Sequence, residues 1–202
     1  MSSISIERLI VLDRDGVINV DHGYVGTPDR WQWCAGAPES IAALWDAGFW
    51  PIVCTNQSGV GQGLFSADQY WDLMAEVHHQ YYWHFTRAGA YRPRLQRNYP
   101  STVVCFHTPA DNCNCRKPRL GLWDEITTMF GRLDLANSWF LDDKFKNLEF
   151  GRQIGLKLGW ITTTADDVRE PLDYDVFGSL HHFTETLLQK KIPWTQHEVV
   201  GQ

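Results

Sequence analysis

At 202 residues the chain is long enough for one domain with a sizeable core and too short for two domains of ordinary size. With 44% hydrophobic and 21% charged residues, its composition excludes a disordered, collagen-like or coiled-coil protein. The formal net charge of −6, from 18 Lys+Arg and 24 Asp+Glu, excludes bulk-charge coating of nucleic acid or anionic membrane.

The elements alternate. Leu9 to Leu12 reads as a short buried strand, Pro38 to Ala47 as an amphipathic helix stopped by Gly48, and Trp50 to Cys54 as a second buried strand. Ser66 and Gln69 form a capping-box signature for a long aromatic helix that runs to Ala88. Thr102 to Phe106 is a third strand, Leu122 to Phe130 a helix, Trp139 to Leu141 a strand, Leu148 to Ile154 a helix ended by Gly155, and Leu156 to Thr162 a strand. One further helix is expected at Leu180 to Gln189, in a C-terminal extension spanning 164–202. This order predicts a single α/β domain with a mainly parallel sheet joined by helical crossovers. No apolar run reaches the roughly 20 residues of a membrane span, and Glu7 and Arg8 stand where a leader would be apolar. A cytoplasmic monomer is expected, with a small-molecule substrate and neither membrane nor nucleic acid as partner.

In such folds ligands bind beyond the carboxyl ends of the strands, so the segments following each apolar run carry the chemistry. Asp13-Arg14-Asp15-Gly16 leaves the first strand with two carboxylates on one tight turn. Like charges so placed call for a cation or a shared proton, which points to Mg²⁺ and to a carboxylate nucleophile beside a general acid/base; a capped turn is the alternative. Thr55, Asn56, Gln57 and Ser58, followed by Gly59, Gly61 and Gly63, offer hydroxyls, amides and bare N–H groups to phosphate oxygens, without the Gly-Lys-Ser/Thr of a Walker loop. Cys105-x-His107 and Cys113-x-Cys115 supply four ligands for a structural tetrahedral Zn²⁺. Arg116 and Lys117 begin where that loop ends, so zinc there would hold two cations ready to clamp a phosphate. Asp142-Asp143-Lys144 places more carboxylate at the same sheet edge, and either aspartate can complete an oxygen cage for Mg²⁺. Other residues read as structural: His78, His79 and His84 on the long helix, Cys34 and Cys54 as small hydrophobes, and Arg87, Arg92, Arg94 and Arg97 with Tyr91 and Tyr99 as a solvated hairpin.

As a set, Asp13-Arg14-Asp15-Gly16, Thr55-Asn56, Lys117 and Asp143 resemble, in order and context, the four motifs of the haloacid dehalogenase superfamily of phosphotransferases. The strings from Leu12 to Val25, Thr55 to Gly59 and Cys115 to Pro118 are similar to those of its zinc-loop branch, to which histidinol-phosphate phosphatases belong. The resemblance implies a three-layer Rossmann-like fold with Asp13 as nucleophile and Asp15 as the acid that protonates the leaving alcohol and then activates water. It implies Mg²⁺ between Asp13, the backbone carbonyl of Asp15 and Asp143, and a transferring phosphate held by Thr55, Asn56 and Lys117. Asp21, His22, Gly23, Tyr24, Gln57, Ser58, Arg116 and Lys144 are then expected at the substrate. The short spacings between motifs leave no room for the large cap domain that many members carry, so a small sugar phosphate is expected, with histidinol phosphate or a nucleic-acid 3′-phosphate as alternatives. The pattern departs at the fourth motif, where Asp142 replaces a common Gly and Asn147 a common Asp, and Gln62 stands where arginine is common. Those departures suggest a second class of reading, a zinc-stapled binding module with a decayed centre.

Overall fold

A computed structural model describes residues 6–87, 100–164 and 173–193. Strands β1 (Arg8–Leu12), β2 (Phe49–Asn56), β3 (Ser101–Cys105), β4 (Trp139–Asp142), β5 (Lys157–Ile161) and β6 (Asp175–Phe177) form one parallel sheet in the order β3-β2-β1-β4-β5-β6. The helices are α1 (Ala37–Asp46), α2 (Ser58–Gly61), α3 (Ala67–Arg87), α4 (Gly121–Thr128), α5 (Leu148–Ile154) and α6 (Leu180–Leu188).

Side chains alternate across the sheet and generate three layers. Ile10 and Leu12 of β1 pack with α1, α3 and α6 through Ile41, Leu44, Leu73, Val77 and Phe183. Leu9 and Val11 face the other way, onto α4 and α5 through Leu122, Ile126 and Phe150. Each such fully buried side chain contributes about 1.5–3 kcal/mol of transfer free energy.

Local signals account for several element ends. The reciprocal box before α3 is formed, Ser66 N donating to Gln69 Oε1 at 2.8 Å and Gln69 N to Ser66 Oγ at 3.1 Å. Gly155, with φ of 86°, ends α5 in a left-handed conformation that costs glycine little. Two elements depart from the sequence reading. The glycine-rich stretch after β2 opens with one helical turn, α2, and the sheet gains β6, whose three residues are too few to show a period. Of the expected solvated hairpin, Arg87 instead ends α3, and positions 91–99 lie outside the described residues.

The chain lays β2 and β3 to one side of β1 and then crosses to β4 on the other, which creates a topological switch point between β1 and β4. Leu12 pairs with Leu141, and the Asp13 amide donates to the Leu141 carbonyl at 2.8 Å. Asp13 and Asp142 therefore leave the sheet side by side, while register brings Asn56 level with Cys105.

Candidate active site

At the switch point lies a cleft of about 560 Å³. Asp13, Asp15, Asp21, Gly23, Tyr24, Asn56, Gln57, Ser58, Arg116, Lys117 and Lys144 all line it. Thr55, His22 and Asp143 do not. Thr55 is buried beneath Gln57, whose Nε2 donates to its Oγ1 at 2.9 Å, and the His22 ring pairs with Gln32 Oε1 at 2.8 Å in an exposed position.

The centre is a buried charge cluster. Lys117 Nζ lies 3.2 Å from Asp13 Oδ1 and 2.6 Å from Asp142 Oδ2. Burial opposes the charge on Lys117, but the two aspartates outweigh it and hold the ammonium above its ordinary value. Burial pushes the Asp13 carboxyl up to about 7; Lys117 pulls it down, while Asp142 and Asp15 push it further up. Asn56 fixes the lysine backbone, its Oδ1 accepting from Lys117 N at 3.0 Å and its Nδ2 donating to Lys117 O at 3.2 Å. Asn56 thus orients the lysine as well as lining the cleft.

Asp142 and Asp143 separate by their partners. Asp142 Oδ1 accepts from Lys144 N at 2.8 Å and Asn147 Nδ2 at 3.1 Å, and Oδ2 accepts from Lys117 and Asn147. Asp143 Oδ1 is buried without a hydrogen-bond partner. Ligand atoms of Asp13, Asp142 and Asp143 lie within 4.8 Å of one another. An orphaned carboxylate oxygen beside an aspartate that burial disfavours in its charged form is a site short of positive charge, which a hard divalent cation fits. The donors still open to it are Asp13 and Asp143. The Asp15 side chain is not in this cluster: its carboxylate takes hydrogen bonds from Arg14, Asn19 and Gln57, leaving the backbone carbonyl as its route to a metal. Gly16 packs directly against the Asp143 side chain. With φ of 82°, it sits where a Cβ would lie 2.4 Å from Asp143 Oδ2, so only glycine fits.

Asn147, buried and donating to both Asp142 oxygens, supports the carboxylate that holds Lys117. At the mouth, Lys144 Nζ bridges Asp143 Oδ2 at 2.7 Å and Asp21 Oδ2 at 3.0 Å, tying the 20–33 segment to the floor. Against desolvation, the Gly23 amide and Lys144 hold Asp21 below its ordinary value. Gln62 Nε2 donates to Tyr24 Oη at 3.2 Å, so it braces a lining tyrosine.

Cys105 Sγ, His107 Nδ1, Cys113 Sγ and Cys115 Sγ lie 3.2–3.6 Å apart in the pairs in contact. Zinc bonds of about 2.3 Å to sulfur and about 2.0 Å to nitrogen demand tetrahedral edges near these lengths, so the cluster can hold zinc. Arg116 Nη1 donates to the His107 carbonyl at 3.1 Å and Arg119 Nη1 to the Cys113 carbonyl at 2.5 Å, so both cations hang from this loop.

Sequence reasoning missed several lining residues, namely Thr108, Pro109, Asn112, Arg119 and Lys146. Their only signal was adjacency to the cysteine loop and to Asp142-Asp143. Cys54 is a buried small hydrophobe, His78 and His79 are exposed, and His84 pairs with Glu39 at 2.9 Å. Among the described residues no helix is long and apolar enough to cross a membrane.

No family model matches the chain. It is 30% identical over 195 residues to the D-glycero-β-D-manno-heptose-1,7-bisphosphate 7-phosphatase of Neisseria meningitidis serogroup A, covering 91% of this chain and 96% of that one. It is 36% identical over 148 residues to the enzyme of the same name from Pseudomonas aeruginosa, covering 72% and 76%. The solved D,D-heptose 1,7-bisphosphate phosphatase of B. bronchiseptica, complexed with magnesium and phosphate, superposes with a TM-score of 0.76 at 29% identity, over 90% of this chain and 98% of that one. The non-catalytic reading of Gln62 and Asn147 falls with these relatives. The chain belongs to the heptose-bisphosphate phosphatases of the haloacid dehalogenase superfamily and is a phosphoric monoester hydrolase.

Proposed function

We propose that the protein is a Mg²⁺-dependent phosphatase that converts D-glycero-D-manno-heptose 1,7-bisphosphate to the 1-phosphate through an aspartyl-phosphate on Asp13. The observation that carries this reading is Asp13 itself, held at the tip of β1 beside Lys117 and close to Asp143, whose Oδ1 is buried without a partner. Asp13 and Asp143, with the Asp15 carbonyl, hold the metal. Magnesium bound there supplies the divalent charge that keeps Asp13 ionised and offsets the charge of the phosphoryl oxygens. Asp13 attacks phosphorus while Lys117 and Asn56 fix the phosphoryl group, and Thr55, buried beneath the cleft wall, acts through the Gln57 amide it accepts from. Asp15 gives its proton to the leaving alcohol and then takes one from the attacking water. Arg116, Asp21, Tyr24 and Lys144 orient the sugar, with Gln57 and Ser58 completing the wall and His22 and Gly23 shaping the approach.

The reading is tested on a panel containing heptose bisphosphate, histidinol phosphate, a 3′-phosphorylated oligonucleotide and para-nitrophenyl phosphate. Heptose bisphosphate is expected to give the highest kcat/KM, by about 100-fold over the chromogenic ester, in line with the differential binding that separates a specific substrate from a generic one. If it is turned over no better than that ester, the named substrate is wrong.

The Cys105, His107, Cys113 and Cys115 cluster is assigned structural Zn²⁺. Metal analysis should find one zinc per chain that survives dialysis, with magnesium readily lost. Cys113→Ser is expected to release the zinc and to lower kcat/KM about 10–100-fold, because Arg116 and Arg119 lose their anchor. Full activity in a zinc-free protein would refute the structural role.

A further inference from the structure

Arg14 lies between the two catalytic aspartates in sequence, yet it points away from the cleft and its side chain is wholly buried. Its guanidinium makes a forked contact with Asp15, Nη2 at 2.8 Å from Oδ1 and 3.0 Å from Oδ2, with Nε at 3.3 Å from Oδ1. The same Nη2 donates to the Val25 carbonyl at 2.6 Å. The guanidinium carbon lies 5.4 Å from the centre of the Tyr70 ring and 5.8 Å from that of Trp31. Arg14 therefore joins three elements behind one carboxylate: the turn after β1, the 20–33 segment and α3. Asn19 Nδ2 at 2.8 Å and Gln57 Nε2 at 2.7 Å complete the set of donors to Asp15.

Burying a guanidinium costs several kcal/mol, and a buried pair of this kind rarely stabilises a fold more than apolar side chains of equal volume. Its use lies elsewhere. We infer that Arg14 is a positioning residue for the proton-transfer step: its fork fixes the direction in which the Asp15 carboxyl faces the leaving oxygen. This inference rests on the assignment of Asp15 as the acid. In the step concerned, the Asp13 oxygen–phosphorus bond forms as the phosphorus–alkoxide bond breaks. The proton moves from the Asp15 carboxyl to the alkoxide oxygen, leaving Asp15 as a carboxylate against the guanidinium.

A leaving group that needs no proton separates this role from a merely structural one. The nitrophenolate of para-nitrophenyl phosphate departs as a stable anion, whereas a primary alkoxide does not. Since kcat/KM reports the steps up to departure of the leaving group, the two esters isolate proton donation from the later hydrolysis of the intermediate. For the alkyl phosphate best hydrolysed in the panel above, Arg14→Met is expected to lower kcat/KM by about 100-fold, within the range of general acid catalysis, and for para-nitrophenyl phosphate by less than about 3-fold. Arg14→Lys keeps the charge without the fork and is expected to show the same selectivity at about 10-fold. Equal losses on the two esters, or no loss on either, would overturn the inference. Should the methionine variant fail to fold, an unchanged ester ratio in Arg14→Lys overturns it on its own. Asp15→Asn is run beside them: if it too lacks the selectivity, the assignment of Asp15 as the acid fails, whereas a selective Asp15→Asn with a non-selective Arg14 variant removes the Arg14 role alone.

Discussion

Asp13→Asn is expected to reduce phosphatase turnover by at least about 10⁴-fold while the protein stays folded, because an amide cannot form the ester with phosphorus and no second carboxylate stands in its place. Asp15 is turned toward Arg14, and Asp142 is occupied by Lys117, Asn147 and the Lys144 amide, so neither can take over the attack. The variant also tests the electrostatics through a different readout. Burial holds the Asp13 carboxyl at about 7 in the fold, against an ordinary 3.8. A carboxyl raised in this way binds its proton more tightly when folded, so its contribution to stability is complete below the ordinary value and is lost as pH rises through 7. In metal-free buffer, the melting temperature of the parent should therefore fall relative to that of Asp13→Asn between about pH 4 and pH 7. Added Mg²⁺ should raise the parent and leave the variant nearly unmoved, since the variant lacks one of the two open carboxylates. A parallel pair of melting curves across that range would contradict the charge-deficient site.

The second large effect is expected from Lys117→Met. The ammonium is the buried cation shared by Asp13 and Asp142, and its removal leaves two buried carboxylates facing one another. Loss of one partner from a buried ion pair costs about 3–5 kcal/mol, which chemical denaturation can measure directly. Activity should fall by on the order of 10³-fold even with saturating Mg²⁺, because the positive group facing the phosphoryl oxygens is gone. Adding Asp142→Asn should recover part of the lost stability and none of the activity. Such a split separates the two roles of Lys117, as counter-ion to Asp142 within the fold and as phosphate ligand in the cleft. If the double variant regains activity, the lysine is a structural counter-ion and nothing more.

How much of this was legible beforehand follows from which interactions are local. Short apolar runs at β1, β2, β3, β4 and β5 announce themselves through burial on both faces of a parallel sheet, and the Ser66 and Gln69 cap through its spacing. β6 is legible only through its pairing with Ile161, a long-range contact that leaves no mark on Asp175–Phe177. The location of the site at the carboxyl edge follows from topology, and each segment named at that edge reaches the cleft. Partner choice is another matter. Nothing in Asp142-Asp143 says which aspartate is consumed by Lys117 and which keeps an open oxygen, because the deciding ammonium arrives from the end of the distant cysteine loop and Asn147, five residues on, only reinforces its choice. For the same reason Arg14 reads as an ordinary residue of the first motif until the fold surrounds it with Val25, Trp31 and Tyr70.

The Asp142 and Asn147 departures gain a physical account in the same network. Asn147 donates to both oxygens of Asp142, and Asp142 holds the lysine, so the acidic partner of Lys117 stands at position 142 with an amide behind it. Gln62, in turn, steadies Tyr24 at the rim and lies outside the charge cluster.

The central claim is that the β1 aspartate carries the phosphoryl group during turnover. Rapid acid quench of enzyme mixed with Mg²⁺ and substrate, followed by peptide mass mapping, reads it directly. A phosphoryl adduct on Asp13 that rises before free phosphate and decays as substrate is exhausted is the result expected here. Release of phosphate at full rate with Asp13 unmodified at every quench time would contradict it.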